Sequence, residues 1–434
     1  MNREYYQHPA IADRIREYAH DAVFISTGEP SLGYEHRCRG PGRVAEALAS
    51  GDGIYRSILD YSRVIFAIDL EYGNRTFPGE IFHEPLTTFQ KIEPTRLAIR
   101  DVLSRYGVAY LELMTGQGYH FVAAIERSSS SYQALLRAAG RLAVLPATAA
   151  ARLIGTVENG DSAPVVRDAS VFLMLGHLAD YIFDRIRLRT ELLLRTSDVY
   201  DRDQIIIFDS TLYGYLITQR STRCVFSLHR KPLIFPIYEY RGPPLVAIPT
   251  AGLDLRQCLE IRADDRGHYQ LAAELAARTT TAIPSADFTR LLGGYLTSGA
   301  YRRHRRLAEQ LQDATVENAE RAAALDLIRR DDPEITDPER FWGPLAAPDW
   351  ASLYRDGLSE QSAAALGRPN DLLLKPTHLR HLIRELTDHG CSAPQIIAVI
   401  AEKYRSDYNW QDDLSNNDPY LRAEYWLRTL SQQF

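Results

Sequence analysis

A chain of 434 residues with a net charge of −6 is long enough for two or three domains, each with a core of its own. Its four cysteines, Cys38, Cys224, Cys258 and Cys391, show neither CxxC spacing nor the density of a disulfide-stapled scaffold, which points to a reducing, cytoplasmic setting. The amino terminus is polar and no apolar run approaches the length of a membrane span, so no membrane partner is expected. The total charge does not advertise a nucleic-acid partner, yet the charge is uneven: 219–231 (QRSTRCVFSLHRK) and 301–306 (YRRHRR) are basic, and 331–339 is acidic.

In chain order, 10–22 reads as helix and 31–42 as a loop broken by Gly and Pro. Residues 44–60 are helical in pattern with a glycine break, and 63–72 (RVIFAIDLEY) is a strand. A loop leads to a helix over 94–106, and 110–125 (YLELMTGQGYHFVAAI) reads as strand, tight glycine turn, strand. Helical stretches fill 131–154 and 171–195, after which IIIFDSTL at 205–212 is a short apolar run holding an acid, and 225–240 continues as β. Beyond about residue 285 the pattern turns to long helices with charged faces, interrupted by a Pro-rich segment at 331–348.

Within FAIDLEY (66–72), strand alternation turns Ile68 and Leu70 inward and sets Asp69 and Glu71 on one face. Two like charges that close are costly unless a cation or a proton sits between them. Alone, such a pair is more often a solvated edge, a GxG turn is a weaker signal still, and Asp209 could simply cap the segment after it. Jointly they suit phosphoryl or nucleotidyl transfer: three carboxylates at strand ends can hold two divalent cations. His120, backbone amides at Gly116 and Gly118, and the basic run from Arg220 to Lys231 could grip phosphates.

In this order, FAIDLEY, TGQGYHF and IIIFDS followed by RSTRCVFSLHRK resemble the three catalytic motifs of the archaeo-eukaryotic primase superfamily, in particular its primase-polymerase branch, over roughly residues 40–245. The resemblance implies an α+β catalytic core over 1–285, made of a sheet like that of an RNA-recognition fold with a smaller α/β unit. An insertion at about 126–204 and an all-helical carboxy-terminal domain over 286–434 would complete the chain. It implies metal-binding, catalytic roles for Asp69, Glu71 and Asp209. Nucleotide-binding roles fall to Thr115, Gly116, Gly118 and His120, and to Arg223, Ser227, His229 and Lys231. Thr115 stands where serine is usual, and Val225-Phe226 where Pro-Gly is typical.

The implied activity is template-dependent nucleotidyl transfer with two Mg2+ or Mn2+ ions. The partners would be a single-stranded DNA template, nucleoside triphosphates, and a helicase or other replication protein. Many members carry zinc in the insertion; here 126–204 contains no cysteine and only His177, so plain helix and no structural zinc are expected. A non-catalytic nucleic-acid binder with this fold and a metal-dependent nuclease are the other readings of the same residues.

Four further features have a bland reading first. His378, His381, His389 and Cys391 could hold zinc, but their spacing is irregular on an amphipathic helix that stops at Gly390. Tyr404, Tyr408, Trp410, Tyr420, Tyr425 and Trp426 could stack on bases, although core packing suits them better. Residues 301–306 read first as a solvated helix face and second as a face beside a nucleic-acid channel, and the basic loop around Arg39 is a weak signal for contact with template or nucleotide.

Overall fold

The computed structural model describes residues 2–29, 34–39, 44–141, 162–195, 203–209, 213, 221–264, 268–305, 358–359, 362, 365–366, 376–407, 423 and 427. Its strands are β1 (Phe24–Glu29), β2 (Tyr34–Arg39), β3 (Ile54–Ser57), β4 (Arg63–Gly73), β5 (Leu111–Met114), β6 (Gly118–Glu126), β7 (Leu193–Arg195), β8 (Ile205–Asp209), β9 (Ser221–Arg223), β10 (Leu228–His229), β11 (Leu245–Val246) and β12 (Ile248–Pro249). They form a six-stranded sheet in the order β12-β5-β6-β4-β8-β7, a four-stranded sheet β2-β1-β3-β9, and the pair β10-β11. The named pairs are antiparallel except β7 with β8, and helices pack on these sheets, which makes the architecture α+β.

β4 lies inside the six-stranded sheet, between β6 and β8, and its apolar sequence suits that place. Val64 to Ile68 are buried without alternation, as in a strand covered on both faces. Phe66 meets Phe288 edge-on at 5.0 Å, and the helices Ser130–Arg141, Ser162–Ile186 and Thr289–Leu296 pack against one another. Past Asp69 the β4–β8 ladder ends, and the Tyr213 hydroxyl replaces a strand there. It accepts from Ala67 N at 2.8 Å and donates to Ala67 O at 2.6 Å.

Several expectations are corrected. The helical pattern over 44–60 gives a helix only for Val44–Ser50; Gly51 takes φ +77°, stopping it, and Ile54–Ser57 pairs with β1 and β9. Residues 34–39, expected in a loop, pair with β1. The helix expected to begin at Pro94 begins at Pro85, because Thr88, Phe89 and Ile92 are buried along the same face and carry the helix through the proline. The β reading of 225–240 holds for β10 alone. Pro232 and Pro236 then open a short helix, Lys231–Ile234, and a 3-10 turn, Pro236–Tyr238, since proline has no N–H for a ladder. In the insertion, Ser130–Arg141 and Ser162–Ile186 are helical, while Leu193–Arg195 adds an edge strand.

Phe288, Leu291, Leu292, Tyr295 and Ala300 belong to the same core as the sheets, so residue 285 does not mark a break in packing. A second core joins Leu379, Leu382, Ile383 and Leu386 of helix Pro376–Asp388 to Ile396, Ile397 and Ile400 of helix Ala393–Asp407. Among the described residues no helix is long and apolar enough to cross a membrane. Of the aromatic stripe, Tyr404 falls on the helix Ala393–Asp407, while Tyr408, Trp410, Tyr420, Tyr425 and Trp426, like the side chains around Arg39, lie outside the described residues.

Candidate functional site

Asp69 stands opposite His120 of β6 on one side and opposite Asp209, the last residue of β8, on the other. Directly opposed residues of antiparallel strands project to one face with Cβ atoms about 4.5–5.5 Å apart. Asp209, Asp69 and His120 therefore form a row across three strands. Glu71 lies one pleat along on the same face, and between it and Asp69 only Leu70 is fully buried.

His120 is fixed from both ends. Its Nε2 lies 3.2 Å from Asp69 Oδ1, and its Nδ1 lies 3.3 Å from the Thr222 hydroxyl. A carboxylate can only accept, so the contact favours a proton on Nε2 and leaves Nδ1 to accept from Thr222. Thr222 belongs to β9, so this imidazole joins the two larger sheets at the site. Asp69 Oδ1 is buried and receives no well-directed hydrogen bond among the described residues.

Lys231 opens the helix Lys231–Ile234 beside this row. Burial alone would lower its pKa, but the charge of Glu71 first, then Tyr238 and Asp69, outweighs that and holds the ammonium above the usual lysine range. Lys231 is thus held by the charge of the carboxylate row.

The turn between β5 and β6 is closed by Thr115 N donating to Gly118 O at 2.8 Å. Both glycines are demanded by close approach. A Cβ on Gly116 would lie 2.1 Å from the His229 ring, and one on Gly118 would lie 1.7 Å from the Leu70 carbonyl oxygen. Thr115 is itself buried, and Arg262, from the helix Leu255–Arg262, donates to the Thr115 and Gly116 carbonyls at 3.0 and 3.2 Å. Burial lowers the Arg262 pKa to about 10, and its guanidinium also lies over the Phe89 ring.

His229 packs under that turn with both ring nitrogens buried and without a hydrogen-bond partner among the described residues. Burial, then the cations Arg223, Lys231 and Arg262, hold its pKa well below the usual histidine value, so it is neutral. Arg223 and Ser227 sit in the wall of the site. Arg223 donates to Leu228 O at 2.8 Å and to the Tyr55 hydroxyl, and Ser227 Oγ accepts from Ile54 N at 2.7 Å.

Val225-Phe226 keeps the turn that Pro-Gly would make. Ser227 N donates to Cys224 O at 3.1 Å and Phe226 takes φ +57°. Left-handed backbone costs a residue with a side chain about 1–2 kcal/mol. Burying a phenylalanine returns about 1.5–3 kcal/mol, and Phe226 is fully buried.

The structure thus gathers Asp69, Glu71, Asp209, His120 and Lys231, places Thr115, Gly116, Gly118 and His229 in the layer beneath, and uses Arg223 and Ser227 to hold a turn. Two residues were not foreseen: Thr222, which lies within the basic segment 219–231 without standing out there, and Arg262, which carries no local motif and reaches the turn only through tertiary packing. Among the described residues, a set of three ligand groups with all ligand atoms within 4.8 Å occurs at His177, Asp180 and His304 and not in the carboxylate row. On the carboxy-terminal helix, His381 instead contacts Glu385 at 3.1 Å and Ser359 at 3.0 Å.

No family model matches the chain, and no curated protein matches it. Among solved structures, the polymerase domain of Ligase D from Mycobacterium tuberculosis, in complex with DNA, is similar at 13% identity. The match covers 64% of this chain and 91% of that one, with a TM-score of 0.31. A likeness at that level assigns neither residue roles nor an activity.

Proposed function

We propose that this chain is a template-dependent nucleotidyltransferase of primase-polymerase type that joins nucleoside triphosphates on single-stranded DNA. The observation that carries the reading is the alignment of Asp209, Asp69 and His120 across three neighbouring strands, with Glu71 beside them. Three such carboxylates facing one way destabilise each other unless cations join them. The donor set suits Mg2+ or Mn2+, which prefer oxygen, and the buried Asp69 Oδ1 lacks a well-directed donor.

Asp69, Glu71 and Asp209 would hold such ions, which when bound supply charge neutralisation and lower the pKa of an attacking hydroxyl. The reaction forms a bond from a 3′-hydroxyl oxygen, whose proton passes to solvent, to the α-phosphorus of a triphosphate and breaks the bond to pyrophosphate. His120, kept in place by Thr222, would share its Nε2 proton between Asp69 and a triphosphate oxygen. Lys231, already drawn to Glu71 and Asp69, would offset phosphate charge at the rim. Arg262 and the two glycines keep the turn beneath His120 in place.

The test incubates the full chain with primed and unprimed single-stranded DNA, Mn2+ and labelled triphosphates. Extended or newly initiated strands support the proposal. Shortened template would replace it with a nuclease, and template bound but unchanged would replace it with a non-catalytic binder.

A further inference from the structure

We propose that His177, Asp180 and His304 form a second metal site, separate from the carboxylate row, that takes a divalent transition metal of the zinc type. His177 and Asp180 lie three residues apart on the helix Ser162–Ile186 and so share a face. His304 comes from a different element, the helical residues 299–305. The ligand atoms of the three side chains all lie within 4.8 Å of one another, and the two imidazole rings are 4.5 Å apart between centroids, tilted by 34°.

Two imidazoles and one carboxylate match the nitrogen-and-oxygen sets that bind Zn2+, whereas Mg2+ prefers oxygen alone. In a tetrahedral zinc site with bonds of about 2.0–2.1 Å, ligand atoms sit about 3.3 Å apart. Closing the cluster therefore takes at most about 1.5 Å of side-chain movement. The surroundings supply two more features of a built site. The Tyr295 hydroxyl, on a fully buried side chain, lies 2.9 Å from His304 Nδ1 and, with Nε2 as the ligand atom, would give that ring the outer partner metal-bound imidazoles normally have. Arg303, which would otherwise repel a cation from the same turn, pairs with Asp184.

His304 is 5% exposed, and His177 and Asp180 are half-buried, so an ion can enter from one side and be shielded on the other. An ion here would staple the helix Ser162–Ile186 to residues 299–305, and no chemistry at the carboxylate row is required of it.

The experiment strips the full chain with chelator, titrates it with zinc sulfate, dialyses, and measures retained zinc and the melting temperature. Wild type and Asp69→Ala/Asp209→Ala are both expected to retain about one zinc per chain by this ligand logic. Asp180→Asn, which keeps the shape of the side chain and removes its charge, should bind at least about tenfold more weakly and lose the zinc-dependent rise in melting temperature. His177→Gln/His304→Gln should retain none. The proposal is overturned if wild type retains no zinc, or if Asp180→Asn binds it as tightly as wild type. Asp180→Asn decides the matter even if the double variant does not fold.

Discussion

Asp69 and Asp209 face each other across the β4–β8 ladder, and His120 flanks Asp69 from β6 with its Nε2 3.2 Å from the carboxylate. Each of these side chains is placed by strand register, not by loop conformation. A one-residue slip of any one of the three strands would turn its member of the row to the opposite face. The turn beneath β6, the Tyr213 hydroxyl on β4 and the buried His229 all bear on that register, and each gives a prediction.

Gly118→Ala should be worse than Gly116→Ala. The added methyl of the first meets the Leu70 backbone carbonyl, which cannot yield without opening the β4–β6 ladder, and a loss of about 3 kcal/mol or more is expected. The second meets a side chain, His229, and should cost about 1–3 kcal/mol. In urea unfolding, His229→Ala added to Gly116→Ala should recover part of the second loss. Strictly additive losses would mean that the ring is not what the methyl strikes.

Tyr213→Phe removes the group that satisfies both Ala67 N and Ala67 O in the interior. Leaving one buried backbone group unpaired costs about 1–3 kcal/mol, so a loss of at least about 2 kcal/mol is expected for the two. Calorimetry that finds the variant as stable as wild type would show another partner for Ala67.

His229 makes the fold sensitive to acid. Its folded pKa lies well below 6.5, so the unfolded chain takes up the proton first. The stability linked to neutral His229 is complete above the unfolded value and falls as pH drops below it, by about 1.4 kcal/mol per unit until the folded value is reached. His229→Leu should remove this component, so the stability difference between about pH 7.5 and pH 5 should be smaller in the variant by about 1–2 kcal/mol. Identical pH dependence would show that the ring is already solvated or paired.

Much of the site was legible because its signals are local. Strand alternation put Asp69 and Glu71 on one face, the apolar run before Asp209 marked its strand, and the spacing of Gly116 and Gly118 marked the turn. What could not be read depends on contacts between distant segments. Thr222 meets His120 across two sheets, Arg262 reaches the turn from a helix with no motif, and His304 joins His177 although it looked like part of a solvated basic face. Helical spacing over 44–60 misled because pairing with β1 and β9 overrides local propensity once Gly51 ends the helix. Arg223 and Ser227, expected at the nucleotide, also brace the turn through buried hydrogen bonds that residue type alone does not reveal.

The most direct test is single-turnover incorporation of one labelled nucleotide on a primed single-stranded template with Mn2+, comparing wild type with Asp69→Asn. The substitution keeps the size of the side chain and removes its charge. A fall in rate of at least about a thousandfold is expected if Asp69 holds a catalytic ion, with template affinity and melting temperature little changed. Incorporation by Asp69→Asn at the wild-type rate would contradict that role.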